Sequence, residues 1–75
     1  MFKVTILDKS KKILRTYPHI TKIIYNNYAG DIVLEGDEIL NHQFPLTGYH
    51  HFYSETGNYT VAPDIIGTFE IDKES

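Results

Sequence analysis

The sequence predicts a small all-β domain, an antiparallel meander of about seven short strands. Short runs of alternating apolar and polar residues recur along the chain, and turn-forming residues separate them. In addition, no stretch shows the 3.6-residue periodicity of an amphipathic helix. We expect a twisted sheet of this length to curl into a small barrel or to form a two-layer sandwich.

The first two strands are expected to form a hairpin. Residues 2–7 alternate between apolar and polar side chains, residues 8–12 form a polar loop, and residues 13–17 return antiparallel. Pro18 has no N–H to donate to a neighbouring strand, so it ends the second strand or marks a sheet edge.

The third predicted strand, at residues 20–28, is apolar on both faces. Its apolar side chains are Ile20, Ile24 and Tyr28 on one face and Ile23 and Tyr25 on the other. This pattern indicates a strand that is covered on both sides or that lies near a self-association surface. Either residues 26–27 or residues 29–31 supply the following turn, and the second is favoured because Gly30 accepts a positive φ; residues 32–35 then pair back.

The segment after this strand has two interpretations. Residues 37–42 form one helical turn with Asp37 as its cap, or they extend the preceding strand. Pro45 and Gly48 then impose a loop.

The last part of the chain is predicted to contain a hairpin and a final strand. The hairpin strands, at residues 51–54 and 59–62, flank a four-residue loop at 55–58 that contains Gly and Asn. The final strand covers residues 65–71, and residues 72–75 are expected to fray.

The chain of 75 residues is expected to form a single domain. It contains no cysteine, so the core must suffice without a disulfide, or self-association must add buried area. The sequence has neither a secretory signal nor an apolar run long enough to span a bilayer. We therefore expect a soluble, cytoplasmic protein without a membrane partner.

Charge and motifs narrow the function classes. Ten acidic and seven basic residues give a net charge of −3, which opposes non-specific binding to nucleic acid. No nucleophile elbow, P-loop or dinucleotide motif is present. A chain this short rarely holds a deep catalytic cleft, so we expect no enzymatic activity and no cofactor.

The densest aromatic cluster suggests a recognition surface. It comprises Tyr49, His50, His51, Phe52 and Tyr53, with Tyr59 across the predicted hairpin. Such residues stabilise a sheet through cross-strand packing, but they are also enriched at interface hot spots. In the second interpretation these six residues contact a protein partner.

Two further groups of residues offer alternatives. Lys9, Lys11, Lys12 and Arg15 form a basic loop, which keeps a hairpin tip soluble or contacts nucleic acid. The candidate metal ligands are the three histidines His42, His50 and His51. Neighbouring residues of a strand point to opposite faces, so the last two cannot both bind one ion if the segment is extended.

Three stretches of the chain carry a resemblance to known proteins. They are a strand at residues 2–7 that enters a Lys-rich turn, the segment at residues 32–40, and the segment at residues 57–61. With these features the chain resembles small uncharacterised β proteins carried by prophages and mobile elements of AT-rich Gram-positive bacteria. The resemblance implies an accessory protein that binds another component, such as a host factor, and it implies no catalytic residue.

These observations favour a small non-enzymatic protein-interaction module. It is expected to act through the Tyr/His/Phe-rich surface or through a sheet edge, and to form a homodimer or a higher homo-oligomer. The alternatives are a nucleic-acid-associated module, which binds through the basic loop or competes with DNA through an acidic surface, and a histidine-based metal-binding protein.

Overall fold

The computed structural model describes residues 1–27, 29–45 and 48–74. Within these ranges the chain forms six strands and one short helix: β1 (Phe2–Leu7), β2 (Ile13–Asn27), β3 (Gly30–Glu35), α1 (Glu38–Asn41), β4 (His50–Ser54), β5 (Gly57–Val61) and β6 (Thr68–Lys73). All strand pairs are antiparallel. The predicted all-β class is confirmed, and of the two interpretations of residues 37–42 the helical turn is the one observed.

The strand β2 accounts for the difference between six strands and the predicted seven. Residues 13–17 and 20–27 belong to one strand, which continues through Pro18. Two residues of β2, Pro18 and His19, stand opposite Lys3 alone, and His19 adopts a φ of 60°. This extra residue is a β-bulge, and the interrupted ladder tolerates a proline that cannot donate a hydrogen bond. Tyr28, the predicted end of the strand, lies outside the described residues.

The sheet has the order β5-β4-β2-β1-β6, and β3 pairs with the second half of β2. Ile20 pairs with Phe2 and with Ser54, so β1 and β4 flank β2 on opposite edges at this point. The sheet curls so that Phe52 of β4 and Phe69 of β6 meet with ring centroids 5.9 Å apart. It does not close into a barrel.

The concave face of the curled sheet holds the core. The buried cluster comprises Phe2, Val4, Ile6, Ile20, Ile23, Tyr25, Leu34, Ile39, Phe52, Val61 and Ile66. Ile39 is the buried residue of α1, which packs against both β3 and β6 and so lies across the opening of the curl. Asp37 precedes α1, but its side chain makes no capping hydrogen bond.

The loops of two hairpins differ from the turns that the sequence predicts. The carboxylate of Asp8 accepts hydrogen bonds from the N–H groups of Ser10 (2.8 Å) and Lys12 (3.0 Å), which replaces the usual glycine turn with an Asx turn. Between β4 and β5 the loop is only Glu55 and Thr56, because the strand already begins at Gly57.

The last strand extends to Lys73, into the segment 72–75 that the sequence predicts to fray. A 3₁₀ turn at Pro63–Ile65 replaces the start of the predicted last strand, which begins at Thr68. The strand then pairs along the whole of β1, and Glu74 N–H donates to Met1 O at 2.9 Å. Fraying was expected because the sequence does not show this partner. Ser75 lies outside the described residues.

Gly67 is required by close packing against the first loop. A Cβ atom at this position would overlap the carbonyl group of Asp8 and lie 2.6 Å from Lys9 N. We expect Gly67→Ala to lower the free energy of unfolding by about 1–3 kcal/mol, because the backbones must separate. Gly57→Ala is the matched control, since a Cβ there meets no atom within 4 Å. Urea unfolding measures both variants, and equal stabilities would contradict this packing.

Candidate functional site

The strand β4 divides the predicted aromatic surface between two faces of the sheet. His50 and Phe52 point into the core and are 0% and 1% exposed. His51 and Tyr53 alternate with them and are half-buried on the opposite face. Two of the six predicted contact residues are therefore core residues that cannot touch a partner, because the inward positions of β4 fill the concave face.

The convex side of β3, β2, β4 and β5 forms a surface that we call the outer face. Two rows of paired residues cross it, namely Val33, Ile24, His51 and Thr60, and then Glu35, Lys22, Tyr53 and Asn58. Lys22 Nζ lies 4.9 Å from the centre of the Tyr53 ring, and His51 Nδ1 is 2.9 Å from Thr60 Oγ1. Val33 is 47% exposed. Apolar, aromatic and polar side chains thus lie side by side on a rigid sheet.

The two remaining predicted contact residues lie away from these rows. Tyr59 pairs with Phe52 and is 39% exposed at the sheet edge, where its ring packs against Tyr17 in a tilted arrangement with centroids 4.6 Å apart. Tyr49 precedes β4 and is 55% exposed. The predicted surface therefore contains four accessible residues, of which His51 and Tyr53 share the outer face.

The concave face contains an aromatic cluster that the sequence did not reveal. It comprises Tyr25, His42, Phe44, His50 and Phe69, whose neighbouring ring centroids are 5.0–6.3 Å apart. The phenol of Tyr25 hydrogen-bonds to Nε2 of His42. Tyr25, His50 and Phe69 lie on three different strands, and the other two members lie in the loop after α1. The cluster therefore forms through the curl of the sheet and not through local sequence spacing.

The three candidate metal ligands do not converge. His42 and His50 flank Tyr25 on the concave side, whereas His51 lies on the outer face. Within residues 1–27, 29–45 and 48–74, no group of three or more His, Asp or Glu side chains is placed to hold a metal ion. The alternation of side chains along β4 is the physical reason.

His50 is a buried titratable group in the aromatic cluster. Its Nδ1 is 3.1 Å from Gly48 O, and Nε2 has no hydrogen-bond partner among the described residues. Burial lowers the pKa of His50 below the usual 6.5, because the imidazolium would lose its hydration. The carbonyl groups of Gly48 and Pro45 oppose this effect, and the nearby His51 adds to it. The folded protein therefore holds His50 neutral.

A groove lies where the curled sheet remains open, between β6 and the segment that starts at α1. We call it the seam groove. It has a volume of about 380 Å³ and is lined by Ile39, Leu40, His42, Gln43, Phe44, Thr68, Phe69 and Ile71. Its lining contains no Asp, Glu, Lys or Arg. His42, Phe44 and Phe69 belong both to the groove lining and to the aromatic cluster, so the cluster forms the inner wall of the groove.

The basic loop lies at the tip of the first hairpin, far from the outer face along β2. Lys9, Lys11, Lys12 and Arg15 are all exposed. A shallow depression of about 360 Å³ beside them is lined by Asp8, Lys9, Ser10, Leu14 and Asp64. Two carboxylates therefore lie among the cations that the sequence predicted as a nucleic-acid contact.

The buried position of His50 makes stability depend on pH. In the unfolded chain His50 binds a proton near pH 6.5, and in the folded chain it does so only at a lower pH. The contribution of neutral His50 to the free energy of unfolding is therefore complete above pH 6.5 and is lost as the pH falls from 6.5 through the lowered pKa. We expect His50→Phe to flatten this part of the pH profile in urea unfolding, since the phenyl ring has no proton to bind.

His51→Gln is the matched control because it alters the adjacent, half-buried imidazole. Because His51 makes the smallest contribution to the lowered pKa of His50, this variant should keep most of the wild-type loss of stability below pH 6.5. Equal slopes for wild type and His50→Phe would show that His50 is not the group responsible.

Within the described residues, no helix is long and apolar enough to cross a bilayer. Comparisons of the chain with protein-family models, with curated protein sequences and with solved structures find no match.

Proposed function

We propose that this protein is a small non-enzymatic interaction module that binds a protein partner through the outer face. The observation that carries the proposal is the alignment of Val33, Ile24 and His51 across three strands, with Tyr53 in the adjacent row. Aromatic residues and cation–aromatic pairs of this kind are typical of interface hot spots.

The backbone beneath the outer face favours binding without large reorganisation. The second half of β2 is paired on both edges, with β3 and β4, and β4 is paired with β2 and β5. Side chains on such strands lose little further freedom when a partner covers them, so less binding free energy is spent on ordering.

The edge strand β5 offers a second element for the same partner or for another copy of the chain. Gly57–Val61 contains no charged residue and no proline, the two devices that usually protect a sheet edge. Tyr59 lies on this strand and packs against Tyr17. Strand addition at β5 would extend the sheet that bears the outer face, and this supports the proposed homo-oligomer. An accessory role in a phage or mobile element is part of the proposal.

A nucleic-acid-associated function is the alternative. The four exposed cations of the basic loop favour it, and the carboxylates of Asp8 and Asp64 beside them oppose it. The overall negative charge is compatible with the other form of this alternative, in which the protein competes with DNA for a DNA-binding protein.

The outer face is tested with binders selected from a display library on the wild-type protein. We expect most binders to lose at least about tenfold in affinity with Val33→Lys or Tyr53→Ala, because both changes alter the centre of the contact. Ile13→Lys is the matched control, since it places the same charge on a 65% exposed residue elsewhere. Binders that are insensitive to both outer-face variants would contradict the proposal.

The alternative is tested by titrating a labelled single-stranded oligonucleotide at low and high salt. If the basic loop binds it, affinity falls with salt and is lost in Lys11→Glu/Lys12→Glu. Lys3→Glu/Lys73→Glu, which makes the same charge change at β1 and β6, should leave binding unaltered. The absence of any binding at low salt would remove the nucleic-acid contact.

A further inference from the structure

We propose that the seam groove binds an extended segment of another protein in which basic and apolar residues alternate, by adding it as a strand to β6. This site is separate from the outer face and goes beyond the function proposed above. Three observations carry the inference: the free edge of β6, the apolar lining of the groove, and the charge around it.

The backbone groups on the edge of β6 that faces away from β1 make no backbone hydrogen bond among the described residues. Glu74 N–H donates to Met1 O, so this pair is hydrogen-bonded, and hydrogen-bonded pairs recur at every second position along an antiparallel ladder. Phe69, Ile71 and Lys73 therefore turn their N–H and C=O groups away from β1. Within the described residues, β6 has no strand partner apart from β1.

The same residues bring side chains to the groove. Phe69 and Ile71 line it together with Ile39 and Leu40 of α1. A strand that pairs with Phe69 and Ile71 has its directly opposite residues on the same side of the sheet. Every second side chain of an added strand therefore enters the apolar groove, where an aliphatic side chain fits the lining.

The charge around the groove selects a basic ligand. Four of the ten acidic residues of the chain, but only one of the seven basic residues, lie in the two flanking segments 37–38 and 70–73. That one base, Lys73, has its Nζ 3.9 Å from Asp37 Oδ1 at the end of the groove. The rest of the chain holds six acidic and six basic residues, so the net charge of −3 is concentrated in these two segments.

The apolar groove and the acidic residues beside it together determine the sequence pattern of the ligand. Glu70 and Asp72 alternate with Phe69 and Ile71 and point to the other side of β6. The side chains of an added strand that do not enter the groove lie beside these carboxylates, where Lys or Arg forms favourable cross-strand pairs. A segment of alternating basic and aliphatic residues satisfies both sides.

The pattern also argues for a foreign segment instead of a second copy. The basic region of this chain, residues 11–15, has two adjacent bases followed by two adjacent apolar residues. Its side chains do not separate into a basic side and an apolar side when the segment is extended. It is also already paired with β1 through Ile13 and Arg15.

The test is a titration of the ¹⁵N-labelled protein with a six-residue peptide of alternating lysine and valine, acetylated and amidated. We expect shift changes at residues 39–44 and 68–73, and slower hydrogen exchange at the amides of Phe69, Ile71 and Lys73. A peptide with glutamate in place of lysine should not bind, and a peptide N-methylated along one edge should lose the exchange protection. Higher salt should weaken binding.

Variants locate the effect on the protein. Glu70→Lys should lower the affinity for the lysine–valine peptide at least about fivefold. Leu40→Lys, at the partly exposed rim of the groove, should lower it by a similar factor. Glu55→Lys makes the same charge change at the β4–β5 turn and should leave affinity unaltered. Spectra of the free variants show that the fold is retained.

Several outcomes would overturn the inference. These are an absence of shifts at millimolar peptide, equal binding of the glutamate peptide, and shifts confined to the outer face. Concentration-dependent broadening of the groove signals without peptide would show that a second copy occupies the groove, and would also overturn it. Because Val33→Lys alters only the outer face, it should bind the peptide like wild type, which separates failure here from failure of the proposed function.

Discussion

The structure depends on the pairing of one long strand, β2, with three others. Its first half pairs with β1 and its second half with β3 and β4. The two remaining strands, β5 and β6, pair with β4 and β1, so each of them is one strand away from β2. The bulge at Pro18 and His19 separates the two halves. His19 N–H donates to Glu74 Oε1 at 2.9 Å, so the bulge is also attached to the end of the chain. A bulge increases the local twist, which promotes the curl that creates the concave core.

The curl of the sheet places side chains that are adjacent in sequence in different environments. His50 is buried among aromatic rings, whereas His51 contacts Thr60 on the outer face. The same alternation places Phe52 in the core and Tyr53 beside Lys22. The proposed recognition surface and the core therefore share a single five-residue strand, and a shift of its register by one residue would exchange them.

The two ends of the sheet differ in how they are protected. The edge strand β5 carries no charge, whereas β6 carries Glu70, Asp72 and Lys73 and has α1 packed against it. A charged edge beside a groove disfavours pairing with most strands but admits one of complementary charge. The proposed partner of β5 and the proposed ligand of β6 thus belong to different chemical classes.

The amino-acid sequence by itself determined the all-β class and most strand positions, because alternation and turn residues act over a few neighbours. It also determined that His50 and His51 would face opposite ways if extended. It could not determine which of them is buried, whether residues 37–42 form a helical turn or extend a strand, that β2 continues through Pro18, or that β6 extends to Lys73. Those features depend on partners distant in the chain, such as β1 for β6 and the bulge opposite Lys3 for Pro18. Only the tertiary structure brings Phe44, Phe69 and α1 together around the seam groove.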